Sequence, residues 1–179
     1  MGSWNGAADH RACTGQRGIG GSDPRRRRQA IHRLRGDGDR FWICRAERTF
    51  WEKATAIHVF CLQARLRGDR FARHWHDVAR LDEAGLATTA FADRELAQAV
   101  ARHKGMFFAE KAADREPIDY AVAVNGGLRL EPDGDALKVL EDDYLRMVED
   151  GLLLEEAEPF EALRARCADI AARANRVGA

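Results

Sequence analysis

Lysine and glutamate are both missing from the first 45 residues of this 179-residue chain, although basic and acidic side chains number 29 each overall. That stretch holds ten Arg and four Asp, a charge of +6, so the remainder carries −6. It also lacks a 3.6-residue or two-residue apolar rhythm, which argues against a folded domain of its own. Long apolar runs are lacking throughout. Nothing approaches the roughly 18–20 consecutive apolar residues of a membrane span, and the start has no apolar secretory core. These absences predict a cytoplasmic protein with no membrane partner. Cysteine is scarce: Cys13, Cys44, Cys61 and Cys167 are scattered, without the short paired spacings of a zinc or redox motif.

What the chain does have is an apolar content of 45% and a charged content of 32%, the balance of a globular protein long enough for one ordinary domain. The boundary is expected near residue 45, with a basic leader over 1–45 and a helical domain over 46–179. The leader, which includes the run Arg25 to Arg28, has three explanations: a basic arm that neutralises phosphates, a disordered tail, or the product of a frameshift or wrong start in a GC-rich gene. The Arg-rich, Lys-free and Glu-free composition suits the last.

From Glu47 onward helical periodicity dominates. Thr49 with Glu52 three residues later is the pattern of a reciprocal capping box. Phe50, Ala54, Ile57, Cys61 and Ala64 then make an apolar stripe that ends before the loop at Arg67, Gly68 and Asp69. A second helix places His74, Val78 and Leu81 on one face and stops near Gly85. A third is predicted from about Phe91 to Ala112, grouping Leu96, Val100, His103 and Phe107. The rhythm lapses between Asp114 and Pro132, where Asp119 to Val124, Asn125-Gly126-Gly127 and Leu128 to Leu130 suit either a hairpin or an extended wrap. A fourth helix, capped by Asp135, aligns Leu137, Leu140, Tyr144, Met147 and Val148. Pro159 suits the first turn of a fifth, with Phe160, Leu163, Cys167, Ile170 and Ala174 at alternating three- and four-residue steps. The fold class is therefore mainly α: a bundle of about five helices with one extended or hairpin segment.

Two clusters hold the candidate chemistry, Arg48 to Lys53 on the first helix and Arg73 to Asp77 on the second. With Thr49 as cap, Lys53 falls one turn into its helix, near unpaired backbone amides that favour an anion. It lies about 60° from the centre of the stripe, so its stem packs while its ammonium reaches a cleft edge. Asp77 borders the apolar face of its own helix, and a helical hairpin would bring the two together. Spacing alone equally allows solvated flanks and a local Arg73–Asp77 ion pair. Trp51 and Trp75 read as packing residues, and His58 as their partly buried neighbour.

The run Arg48 to Lys53 with Ala54 and His58, followed by Arg73, His74 and Asp77, resembles the late motifs of the abortive-infection nucleotidyltransferase toxins of the AbiEii/AbiGii type. Phe107 and Phe108, Asp119 and Tyr120, Leu128 to Pro132, the Asp143, Tyr144 and Met147 helix, and Asn175 extend the resemblance over about 130 residues. It implies the C-terminal helical part of an α/β nucleotidyltransferase, one that moves a nucleoside monophosphate from a nucleoside triphosphate to an acceptor such as RNA. It also implies Mg²⁺ and a cognate antitoxin. Carried over by motif, Lys53 contacts the triphosphate, Asp77 is the late catalytic carboxylate, and Arg73 and His74 are flanking substrate contacts. The family's Asp-x-Asp metal pair follows a Gly-Ser or Gly-Gly-Thr turn in an N-terminal sheet. Gly21 and Ser22 with Asp37, Gly38 and Asp39 imitate it without a surrounding apolar strand, so the metal ligands are unknown and the chain is expected to be truncated and inactive alone. Two other functions compete. Arg70 and His76 have the spacing of a metal-independent HEPN-like ribonuclease, and the apolar stripes alone suffice for a non-catalytic helical module that binds an antitoxin.

Overall fold

A computed structural model describes residues 45–65, 70–153 and 157–179. The basic leader, the Gly21-Ser22 and Asp37-Gly38-Asp39 imitation, and the loop at Arg67, Gly68 and Asp69 lie outside the described residues. Among those described there are seven helices: α1 Ala46–Gln63, α2 Arg73–Glu83, α3 Leu86–Ala92, α4 Arg94–Phe107, α5 Tyr120–Val124, α6 Asp135–Glu149 and α7 Phe160–Gly178. The mainly helical bundle is as expected, with α3 and α5 as the additions.

Helix α1 is the centre of the fold and packs on α2, α3 and α4. Its buried surface is wider than the predicted stripe, taking in Trp51, Thr55, His58 and Val59 beside Phe50, Ala54 and Ile57. The rings of Phe50, Trp51 and Phe91 meet edge to face, with centroids 5.4–6.0 Å apart, the arrangement that ring quadrupoles favour. The Trp51 indole N–H donates to the Ala90 carbonyl at 3.0 Å, so the buried ring leaves no orphan donor.

The capping box is not formed. The helix begins at Ala46, with Arg45 in an extended conformation at the cap position and no side-chain cap bond. Thr49 is already inside the first turn, where its amide and that of Arg48 both donate to the Arg45 carbonyl. Glu52 pairs with Arg48 at 2.8 Å, one turn back, and Glu47 supplies the negative charge that suits the helix start.

The single helix expected from Phe91 to Ala112 is two. Asp93 interrupts it, ending α3 and accepting at 3.0 Å from the Leu96 amide as the cap of α4. The C-terminal limit falls at Phe107 rather than Ala112. Asp135 is the first residue of α6 rather than its cap, a place held by Gly134 at φ 57°. In α7 all five predicted residues, Phe160, Leu163, Cys167, Ile170 and Ala174, are buried.

Of the two alternatives for Asp119 to Leu130, the hairpin is absent and the wrap is present. Asp119 caps the short α5 through the Ala121 amide at 2.8 Å, and the chain then runs extended past α1, α2 and α7. Its peptide groups are satisfied by side chains instead of a second strand. The Asn175 amide clamps Leu128, accepting from its N–H at 2.7 Å and donating to its carbonyl at 3.1 Å. His58 Nδ1 accepts from the Arg129 amide at 3.1 Å, and the Trp75 indole donates to the Leu130 carbonyl at 2.6 Å. The end of α7 closes tightly on the start of this segment. A Cβ at Gly178 would lie 2.6 Å from the Gly126 nitrogen, so only glycine fits there.

Asp143 links α6 to α2. Buried on α6, its carboxylate accepts from the amides of Arg70 at 2.9 Å and Ala72 at 2.8 Å. Helix α2 has no cap side chain of its own, so this distant residue performs the capping.

Candidate functional site

Lys53 is the eighth residue of α1, because the helix starts three residues before the expected cap. It therefore sits more than two turns in, away from the unpaired amides of the helix start, and its position there is not an anion site of the predicted kind. Its partner across α2 is as anticipated. Lys53 Nζ donates to Asp77 Oδ2 at 2.6 Å, and the two side chains keep 26% and 29% of their exposure, so solvent and solutes reach both.

One of the three ammonium hydrogens goes to Asp77. As a structural link, a partly exposed pair of this sort contributes up to about 1 kcal/mol. Arg73 lies one turn before Asp77, its Nε 4.0 Å from the same Oδ2. This local ion pair and the Lys53 pair coexist, and the Arg73 side chain is largely exposed.

His74 is half-buried beside the pair, with its ring among Phe60 and Phe71. Burial lowers its pKa, the nearby Lys53 charge lowers it further, and Asp77 opposes both. Its Nδ1 is buried without a hydrogen-bond partner among the described residues.

Lys104 was not singled out by sequence reasoning. Near the end of α4, it lies close enough to His74 to lower that group's pKa and close enough to Glu52 to have its own raised, although burial is the larger effect and lowers it. Its Nζ stands 4.9 Å from the Phe108 ring centroid, within cation–π range. The signal in the sequence was the run His103, Lys104 beside Phe107 and Phe108, which crosses to the Lys53 cluster only in three dimensions.

The other candidates take structural places. His58 is buried in the core, and its pKa is pushed down to about 4, chiefly by burial and then by Arg129. Trp51 and Trp75 are core residues, as read from the sequence. His76 of the ribonuclease pattern is 9% exposed, which leaves little room for an RNA backbone, while Arg70 occupies the bend that Asp143 caps through its amide.

The residues assembled here suit binding of a phosphate and orientation of a hydroxyl beside it. They do not suit a divalent cation: among the described residues no group of three or more His, Cys, Asp or Glu is placed to hold one. A groove of about 320 Å³ lies elsewhere, between α4 and α5, lined by Gln98, Arg102, Asp119 and Asn125 among others, and contains none of the site residues. Also among the described residues, no helix is long and apolar enough to cross a membrane.

A family model described as nucleotidyl transferase AbiEii toxin, type IV TA system, matches residues 22–166. The match takes in both clusters and reaches upstream of Glu47 into residues outside those described. No curated protein and no solved structure matches the chain.

Proposed function

Given that the chain belongs to the nucleotidyl transferase AbiEii toxins of type IV toxin–antitoxin systems, we propose that Lys53 and Asp77 serve transfer of a nucleoside monophosphate from a nucleoside triphosphate to an acceptor such as RNA. The observation that carries this reading is the 2.6 Å Lys53–Asp77 contact in a partly open position. In the transfer, the acceptor hydroxyl oxygen bonds to the α-phosphorus as its proton passes to the Asp77 carboxylate, the α–β bridging bond breaks, and pyrophosphate leaves with its electron pair. Lys53 takes negative charge from the triphosphate, and Asp77 accepts a hydrogen bond from the attacking hydroxyl and orients it. An incoming phosphate competes with Asp77 for the ammonium, so substrate binding itself frees the carboxylate for the hydroxyl. Arg73 and His74 flank the phosphates, the first as an exposed cation.

Mg²⁺ is expected from the family resemblance but finds no ligand set among the described residues. The family also implies an antitoxin partner, and we place the pair of proteins in the cytoplasm.

The test is equilibrium binding of a fluorescent nucleoside triphosphate to the full chain. Lys53→Ala should weaken it by about tenfold to a hundredfold, the worth of a charge-assisted hydrogen bond. Asp77→Asn, which removes the competing anion, should leave binding intact or tighter. Equal triphosphate affinity in the parent and Lys53→Ala would overturn the assignment.

A further inference from the structure

Beyond the phosphate site, the end of α4 exposes Met106, Phe107 and Phe108 in succession, at 70%, 69% and 52% of their surface. Large apolar side chains cluster this way at binding surfaces more often than on inert ones. The rings do not stand alone. The His103 ring is 4.9 Å from that of Phe107 and 6.1 Å from that of Phe108, and Lys104 Nζ is 4.9 Å from the Phe108 centroid.

Lys104 also connects the aromatic group to the Lys53–Asp77 pair, since it interacts electrostatically with both His74 and Glu52. Glu52 in turn pairs with Arg48 on α1. Lys104 is thus within electrostatic range of the Lys53–Asp77 neighbourhood while its Nζ stands over the Phe108 ring. Arg48 pairs with Glu52, and Lys53 and Arg73 share Asp77.

The Phe108 end is held in place. Its carbonyl accepts from the Tyr120 hydroxyl at 2.6 Å, and its amide donates to the Lys104 carbonyl at 2.8 Å. An exposed aromatic on an anchored backbone is pre-organised, and little entropy is lost when a planar ligand stacks on it.

We propose that Phe107 and Phe108, with His103 and Lys104, form a stacking platform for unpaired bases of a single-stranded nucleic acid whose end is thereby delivered to Lys53 and Asp77. Alternation of ring faces with cations is the chemistry that binds single strands: every base offers a π-face, and the phosphates between bases meet the positive charges. Apolar docking of a protein would tolerate an aliphatic side chain in place of the Phe107 ring, whereas base stacking would not. Delivery to Lys53 rests on the proposed transfer reaction; the platform itself does not.

The experiment uses the full chain without any nucleoside triphosphate, so that it is independent of the transfer reading. Binding of a short fluorescein-labelled oligoadenylate is measured by anisotropy, with a DNA oligomer of the same sequence and a duplex in parallel. Phe107→Ala and Phe108→Ala should each weaken single-strand binding by about five- to a hundredfold, the range for loss of one base stack. Phe107→Trp should retain affinity and Phe107→Leu should lose it, because stacking needs a ring whereas apolar docking does not. Lys104→Gln should reduce the slope of log affinity against log salt by roughly 0.7, one phosphate contact. Both Phe side chains are exposed, so an unchanged circular dichroism melt accompanies these effects. Affinity preserved in Phe107→Leu, equal binding of the duplex, or no change in any variant would each overturn the platform. If strand binding behaves as expected while Lys53→Ala leaves triphosphate affinity unchanged, the platform stands and the phosphate role of Lys53 falls.

Discussion

Replacing Asp143 by Ala removes one buried carboxylate and two hydrogen bonds at a stroke, on a helix far in sequence from the one it caps. Its oxygens accept separately from the Arg70 and Ala72 amides, at 2.9 and 2.8 Å. The Ala72 bond is buried and the Arg70 bond partly so. Leaving a buried donor unsatisfied costs about 1–3 kcal/mol, and the loss of a negative charge from the start of α2 adds about 0.3–1 kcal/mol. With the outer amide partly rescued by water, the whole comes to roughly 3 kcal/mol. Asp143→Asn keeps one carbonyl acceptor and gives up the charge, so it should cost about half as much. Urea unfolding followed by circular dichroism measures both, and at a slope of about 2 kcal/mol per molar the Ala variant should shift the midpoint down by about 1.5 M. The loss should be local first: amide exchange at the start of α2, the helix that carries His74 and Asp77, should accelerate more than exchange in α7. An Ala variant within about 0.5 kcal/mol of the parent, the range of an indifferent surface change, would refute the capping argument. So would identical costs for Ala and Asn.

Further expectations come from other buried groups. His58 protonates near 6.5 in the unfolded chain but only at about 4 when folded, so the unfolded state binds more protons between those values and stability falls as pH drops through them. The loss should reach about 2 kcal/mol by pH 5, and His58→Gln should show a shallower pH dependence of the urea midpoint than the parent; parallel curves would exclude His58 as the source. Cys61 and Cys167 are free thiols that burial pushes up to about 12. Iodoacetamide near pH 8 should modify both slowly in the native protein and readily in urea, as read by peptide mass mapping, and fast native labelling would contradict the packing. Asn175→Leu removes both clamps on Leu128 and should cost about 2 kcal/mol, with faster amide exchange from Leu128 to Leu130; protection there equal to the parent's would show that the clamp is dispensable.

How far the sequence foretold this structure depended on how local each signal was. Helix α7 was legible in full because one face of one helix carries all its buried residues at regular steps, and Pro159 marks where they begin. Helix α1 was legible in its stripe but not in its start. Thr49 and Glu52 have the spacing of a cap, yet the chain enters from Arg45 and Glu52 turns to Arg48. The break at Asp93 was overlooked because apolar periodicity continues across it from Phe91 to Leu96, even though Asp is a good cap residue. The segment from Leu128 to Leu130 stayed ambiguous for a different reason. Its hydrogen-bond partners are His58, Trp75 and Asn175, all far away in sequence, and a strand-like pattern does not say whether side chains or another strand will satisfy it. In the site, face placement and motif together brought Lys53 to Asp77, whereas Lys104 was not among the candidates because its electrostatic relation to Glu52 exists only in three dimensions.

The clamping of Leu128 by Asn175, and of the neighbouring turn by Gly178, has a bearing on synthesis. Ribosomes deliver about 5–20 residues per second, so His58 and Trp75 emerge before the segment they hold, and Asn175 only some seconds after it. Throughout that interval the nascent chain presents Leu128 and Leu130 with part of their final bonding and no α7 to cover them. Until α7 has been made, His58 and Trp75 hold this segment alone, and docking of Asn175 and Gly178 is what completes its bonding.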